Sequence, residues 1–339
     1  LYLKFGGFMR PGPLNLITDV PGILVGHATD ERAITGVTTV VAETHFVGGV
    51  DVRGGAPGVR ETDTLAPEAL VDQVHAIVLS GGSVFGLGAA DGVAMSLSNA
   101  GRGLRILSHT RTIPIVPAAV LHDLGGPGDK NWQASPYPAL GAASVLAADR
   151  DFALGAIGAG RGARAGKVPG GIGSASLDLG DGLIVGALVA VNSIGSVYLP
   201  DGRTFYAWPY EFDGEFGSQR ATDAYSLHDP APPDSRLADM MPPQAGTSTV
   251  IAVVATSATL SKADCKRIAV MAQDGIARAI RPSHTPFDGD TVFAIATGRS
   301  TVMPHAALVA RLGSAAADCL SRAIARGVHA ATQGSSADA

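Results

Sequence analysis

Gly246-Thr247-Ser248-Thr249-Val250-Ile251-Ala252-Val253-Val254-Ala255-Thr256 is the stretch on which the reading of this chain turns. Small hydroxyl residues crowd the mouth of an apolar, β-branched run, and the run reads as a buried strand. A threonine at the first position of a core strand is held rigidly. If the bond before it were cut, its hydroxyl would share one residue with a free α-amino group, which activates a weak hydroxyl by giving it its own base. The same letters also read as turn chemistry ahead of a strand, and this stretch alone leaves both readings open.

The rest of the composition narrows the setting. The chain has 339 residues, 46% hydrophobic and 16% charged, which is ample apolar material for a core. Its 44 glycines are roughly twice the usual share. They are spread among apolar segments, so they read as tight turns and close backbone packing. The net charge is −5 and no basic run occurs, which argues against a nucleic-acid partner. No apolar stretch of about 18 residues exists, so no membrane span is expected. The opening Leu1 to Phe8 is too short and poorly patterned for a signal peptide. Met9 reads as the natural start, with eight residues left over from cloning ahead of it. Two cysteines, Cys265 and Cys319, point to a reducing compartment and a cytoplasmic protein.

Working outward, the first half reads as strands alternating with helices. Gly36–Val41 and His75–Ser80 are expected strands, and the second runs through a glycine-rich turn into a helix from Ala89 to Ala100. Asp151–Gly160 and Leu183–Ser193 read as further strands, the latter apolar on both faces as buried strands are. Residues 201 to 246 carry many prolines and charges with little periodicity. They read as a mobile, exposed connector, longer than structureless loops usually are and suited to hold a cleavage junction. After the Thr249 strand, Ser261 and Asp264 form a capping-box start. A helix follows with Ile268, Met271, Ile276 and Ala279 at helical spacing, and Pro282 ends it. His284 to Asp290 reads as a turn, Thr291–Ala296 as a strand, Ala306–Ala325 as a last helix and Gln333–Ala339 as a loose tail.

Several groups could carry chemistry. Asp288 and Asp290 flank a glycine, and period 2 puts them on one face. Two like charges so close raise one pKa unless a cation sits nearby. Asp-Gly-Asp is also plain turn chemistry, and His284, Asp288 and Asp290 together could be read as a metal site, though no zinc signature supports it. Lys167 sits in a glycine-rich run that fails the phosphate-loop spacing. It is either a solvated lysine or the cation that keeps the aspartates ionised. The dinucleotide fingerprint also fails, because Asp91 stands where a third glycine belongs. Asn192 ends an apolar strand, where its amide can bond a turn or donate to an oxyanion.

Taken together, these residues resemble the autoprocessed N-terminal-nucleophile family of DmpA-type aminopeptidases and NylC-type nylon-oligomer hydrolases. The matching stretches are Asn15–Gly22, Gly54–Gly58, Leu79–Leu87, Ile115–Val120, Ala165–Val168, Val191–Gly195, the Thr249 strand and His284–Thr291. The resemblance implies an α/β fold, a four-layer αββα sandwich, made as one chain that cuts itself between Ser248 and Thr249. It implies an α fragment of residues 1–248 and a β fragment of 249–339 within one hydrolase domain. Ser248 departs from the Asn or Gly that family members carry before the cut, which makes Ser248 itself the fallback nucleophile.

By the same resemblance, Thr249 is the nucleophile and Asn192 the oxyanion donor. Asp288 and Asp290 orient the amine and hydroxyl, Lys167 balances their charge, and Tyr137 lines the site. No cofactor and no metal are implied. The implied partners are a small peptide or oligoamide substrate and further copies of the cut protomer, as a tetramer. The Asp288/Asp290 pair leans toward the nylon-oligomer side, since DmpA-like members carry Ser and Glu there. The alternatives are an L-/β-aminopeptidase of DmpA type, an acyl transferase of the ornithine acetyltransferase type, and an uncut metabolite-binding protein.

Overall fold

The structure is a computed structural model that describes residues 9–106, 111–222, 230–239 and 248–337. Residues 1–8, Gly246 and Thr247, on which some sequence expectations fell, lie outside the described residues. In chain order the elements are β1 (Ile23–Asp30), β2 (Thr35–Val52), β3 (Val59–Arg60), β4 (Val74–Ser80), α1 (Ala89–Asn99), β5 (Ala118–Val120), α2 (Tyr137–Leu146), β6 (Arg164–Ala165), β7 (Val168–Pro169), β8 (Gly171–Asp178), β9 (Ile184–Asn192), β10 (Thr249–Thr256), α3 (Lys262–Ala279), β11 (Thr291–Ala296) and α4 (Ala306–Ala337).

The strands run β3-β5-β4-β2-β11-β10-β9-β8, with β1 added alongside β2. This path is two sheets joined through one long strand. The first part of β2 pairs with β1 and β4, and its last residues, Val47 to Val52, pair with β11. The register with β4 breaks between Val41 and Phe46, where the exposed Glu43, Thr44 and His45 let β2 cross from one sheet to the other.

Period-2 alternation then builds the layers. In β10, Val250, Ala252 and Val254 face a core shared with α3 and α4. Ile251, Val253 and Ala255 face a second core, between the sheets. In β4, Ile77 and Leu79 enter that same inter-sheet core, while Ala76 and Val78 pack with α1 and α2. The order is therefore helices, sheet, sheet, helices, which is the expected αββα sandwich. Every residue of β10 is buried, and each core side chain of this size lost to alanine costs about 2–5 kcal/mol.

Glycine lets the layers close up. A Cβ on Gly173 would lie 1.8 Å from the Ala323 carbonyl oxygen, and one on Gly327 would lie 2.7 Å from the Gly173 nitrogen. Any side chain here would push α4 off β8. The capping box at α3 is present: Asp264 N–H donates to Ser261 Oγ at 3.2 Å, and Ser261 N–H donates to Asp264 Oδ2 at 3.2 Å.

Three expectations are corrected. Asp151–Gly160 is not a strand. It pairs only through Gly155 with Ile172 and ends in a 3-10 turn, Gly158–Gly160. Residues 201–222 are folded rather than a loose connector. Phe205, Ala207 and Phe216 join the core under α4, and Glu215 pairs with Arg322 at 2.6 Å. Residues 223–229 and 240–246 of that connector lie outside the described residues. Finally, α4 runs past Ala325 to Ala337, because Val328 and Ala331 are still buried. Both cysteines are free and buried. No helix among the described residues is long and apolar enough to cross a membrane.

Candidate active site

Thr249 opens β10 and is only 3% exposed. Its Oγ1 donates to the Ser248 carbonyl oxygen at 2.5 Å. That same oxygen accepts the Gly289 backbone N–H at 3.0 Å. The peptide bond between Ser248 and Thr249 thus has a hydroxyl against it and an amide hydrogen polarising its carbonyl. The Ser248 hydroxyl is buried with no partner among the described residues, and the Ser248 backbone bridges to Asp288.

The loop from His284 to Asp290 is pinned by backbone contacts. Arg53 N–H donates to the Asp290 carbonyl and Ala56 N–H to the Asp288 carbonyl, both at 2.9 Å. Gly54 permits this approach, since a Cβ there would lie 2.2 Å from the Asp288 carbonyl oxygen. Asp288 Oδ2 accepts from Thr285 N–H at 2.8 Å and Thr285 Oγ1 at 2.7 Å. Asp290 Oδ1 accepts from Val250 N–H at 2.8 Å, one residue past the threonine. Its Oδ2 meets His284 N–H at 3.1 Å and His284 Nδ1 at 2.8 Å. Both carboxyls are buried. Burial, then the neighbouring Asp290, raises the Asp288 carboxyl to about 6. Among the described residues no group of three or more His, Cys, Asp or Glu is placed to hold a metal.

Asn192 closes β9 directly opposite Thr249, its register partner in the antiparallel ladder. Asn192 Oδ1 accepts Arg164 N–H at 3.0 Å, and Nδ2 donates to the His122 carbonyl at 3.1 Å. The amide nitrogen carries a second hydrogen for another acceptor.

Lys167 is exposed, at the turn between β6 and β7, with its backbone N–H on the Asp234 carbonyl at 3.1 Å. Sequence reasoning missed Arg236, in the proline-rich segment. Its guanidinium donates to the carbonyls of Asn192 (3.1 Å) and Ser193 (2.8 Å). Burial lowers it to about 10, and the nearby Asp288 counters that. A lone arginine among prolines and charges carried no signal for this placement.

A cleft of about 300 Å³ opens onto Thr249, with Pro57, Ser83, Val84, Leu87, Leu121 and His122 among its walls. No carboxylate, ammonium or guanidinium lines it among the described residues. Tyr137 does not line it either. The ring is fully buried behind the wall, where a Cβ on Gly82 would lie 2.0 Å from its Cζ, and its hydroxyl is 3.2 Å from Thr35 Oγ1. Pro138 stands at the second position of α2, where its missing N–H costs no helix bond. The residues that reach the cleft are Ser83 and His122, which sequence spacing did not mark. Burial lowers the His122 pKa, and Arg236 adds to the effect against Asp123.

The description Peptidase family S58 matches residues 15–339. An uncharacterized aminopeptidase of Mycobacterium bovis is 45% identical over 333 residues, covering 93% of this chain and 94% of its own. A 6-aminohexanoate-oligomer endohydrolase of Kocuria sp. is 32% identical over 288 residues, covering 82% of this chain and 74% of its own. Among solved structures, a Burkholderia sp. beta-aminopeptidase matches with a TM-score of 0.69 at 22% identity, over 95% of this chain and 88% of that one. The L-aminopeptidase D-Ala-esterase/amidase of Ochrobactrum anthropi, described as a variant of the Ntn hydrolase fold, also matches with a TM-score of 0.69 at 22% identity. It covers 97% of this chain and 89% of that one.

Proposed function

The chain belongs to peptidase family S58 and is an amide-bond hydrolase, and from that premise we propose that it cuts itself before Thr249 and then works through the new N-terminal threonine. The observation that carries this reading is the Thr249 hydroxyl, 2.5 Å from the Ser248 carbonyl oxygen and on the wall of the cleft. Thr249 Oγ1 attacks the Ser248 carbonyl carbon while Gly289 N–H holds the developing oxyanion. The carbon–nitrogen bond breaks, the hydroxyl proton passes to the leaving nitrogen, and an ester remains. Water hydrolyses the ester, leaving a carboxylate on Ser248 and an amine on Thr249. An α-amine has a reference pKa near 8, so it serves as base close to neutral pH.

In the second stage the amine takes the hydroxyl proton as Thr249 attacks a substrate amide. Asn192 supplies the second amide hydrogen to that oxyanion, and Asp288 and Asp290 fix the amine and the start of β10. The fragments are residues 1–248 and 249–339. The charge-balancing role given to Lys167 stays with this reading, alongside Arg236.

The substrates are small peptides or ω-amino-acid oligomers, in keeping with the names of the relatives. The uncharged lining favours a neutral acyl chain in the cleft. N-terminal sequencing of the smaller fragment tests the first stage: it is expected to begin Thr-Val-Ile-Ala. A panel of L-amino, β-amino and 6-aminohexanoate amides tests the second. An active chain with an intact backbone sinks the reading.

A further inference from the structure

The loop that carries the two aspartates also carries a basic side chain, His284. His284 sits in the left-handed region, at φ 56°, which histidine tolerates better than most residues. That backbone conformation brings both its N–H and its ring Nδ1 onto one oxygen of Asp290. The ring meets that carboxylate at ion-pair distance, 2.8 Å, with the histidine side chain 22% exposed and the aspartate's 2%. The charges of Asp290 and Asp288, both acidic, favour the protonated ring.

We propose that His284 is a positioning residue, held as an imidazolium against Asp290, and that its charge sets the proton affinity of Asp288 beside Thr249. The mechanical link is short. Asp290 bridges from His284 on one oxygen to Val250 N–H on the other, so the ring fixes the carboxylate that fixes the start of β10. The bonded carboxylate outweighs burial and raises the histidine pKa above its ordinary 6.5. The inference rests on the hydrolase reading for its catalytic consequence but not for the state of the ring.

Two measurements separate those parts. With histidine labelled with ¹³C at Cε1, the resonance missing from His284→Asn is expected to titrate clearly above 6.5. Titration at or below 6.5 overturns the proposal, whatever the chain hydrolyses. In activity, the acid limb of the kcat profile is expected to follow Asp288. His284→Asn removes the cation, so that limb moves up by about one pH unit, while His284→Lys, which restores a positive charge, brings it back. A limb that stays in place while kcat falls in both variants reduces His284 to a packing role and overturns the proposal. Absence of any amide hydrolysis in the wild-type chain strikes instead at the function above, and the ring titration still decides this inference.

Discussion

Gly289 donates its backbone N–H to the Ser248 carbonyl oxygen at 3.0 Å, on the peptide bond that Thr249 Oγ1 also contacts. A donor aimed at a carbonyl before it becomes an oxyanion is the arrangement that lowers acyl-transfer barriers. The loop thus presents one amide hydrogen to that bond, while the Asp290 carboxylate holds Val250 N–H one residue beyond it.

Substitutions on either side of that bond make the first prediction. Thr249→Ala is expected to leave one band near 34 kDa on denaturing gels, with no amide hydrolysis. Gly289→Ala places a Cβ 2.8 Å from Thr249 Oγ1 and 2.8 Å from the Ala56 carbonyl oxygen. The hydroxyl has to move, so self-cutting is expected to slow by at least about 10²-fold, followed as band conversion over time. Normal cutting in Thr249→Ala would shift the nucleophile to another residue.

Asn192 offers the second prediction. Replacing it with alanine removes the donor opposite Thr249 and is expected to lower kcat about 10²–10³-fold. It also frees the Arg164 N–H and the His122 carbonyl, so a thermal unfolding curve recorded alongside separates lost catalysis from lost stability. An unchanged kcat removes Asn192 from the oxyanion role.

The buried aspartate pair gives a pH prediction with a definite sign. Burial and Asp290 raise Asp288 from 3.8 to about 6, so the folded chain binds that proton more readily than the unfolded one. The resulting stabilisation is full below about pH 4 and lost as pH rises through about 6. Asp288→Asn removes the repulsion. Its melting temperature is therefore expected to match wild type near pH 4 and to exceed it increasingly up to pH 7, while activity is lost. A gap that does not grow with pH refutes the assignment.

How much of this was legible depended on what each stretch packs against. The strands Thr249–Thr256 and Thr291–Ala296 were readable to the residue because both faces are apolar and turn residues bound them. The 18-residue β2 was read only at Gly36–Val41, since Glu43, Thr44 and His45 break the apolar pattern where the strand changes sheets. β8, Gly-Ile-Gly-Ser-Ala-Ser-Leu-Asp, has no strand signal; it is buried because α4 lies on its glycines. Of the residues singled out by type and position, the fold sets Asn192 opposite Thr249 and ties Asp290 to Val250 N–H, with Asp288 two residues away. Gly289 was not singled out, because its contribution is a backbone hydrogen, and neither were Arg236 or His122, which long-range folding brings in. Tyr137 misled because a residue near the wall in sequence lies behind it in space.

The ion pair across the proposed cut supplies the last prediction. Arg322 on α4 has a fully buried side chain, and Glu215 is 9% exposed. They meet twice, Nε to Oε1 at 2.6 Å and Nη2 to Oε2 at 3.0 Å. Arg322 also donates to the Ser176 carbonyl and to Asn15 Oδ1, each at 2.8 Å. A guanidinium buried this deeply is tolerated only while its carboxylate is present, and breaking such a pair from one side costs about 3–5 kcal/mol. Glu215→Ala is therefore expected to lower the melting temperature by several degrees at constant pH. The residues belong to opposite fragments once the chain is cut, so the cost takes a different form in the two backgrounds. In cut protein, Glu215→Ala is expected to make unfolding concentration-dependent and to release the 249–339 fragment in mild urea, seen by size-exclusion chromatography. In the uncut Thr249→Ala chain the same change is expected to lower stability with no dependence on concentration. Equal behaviour in both backgrounds means the pair does not hold the fragments together.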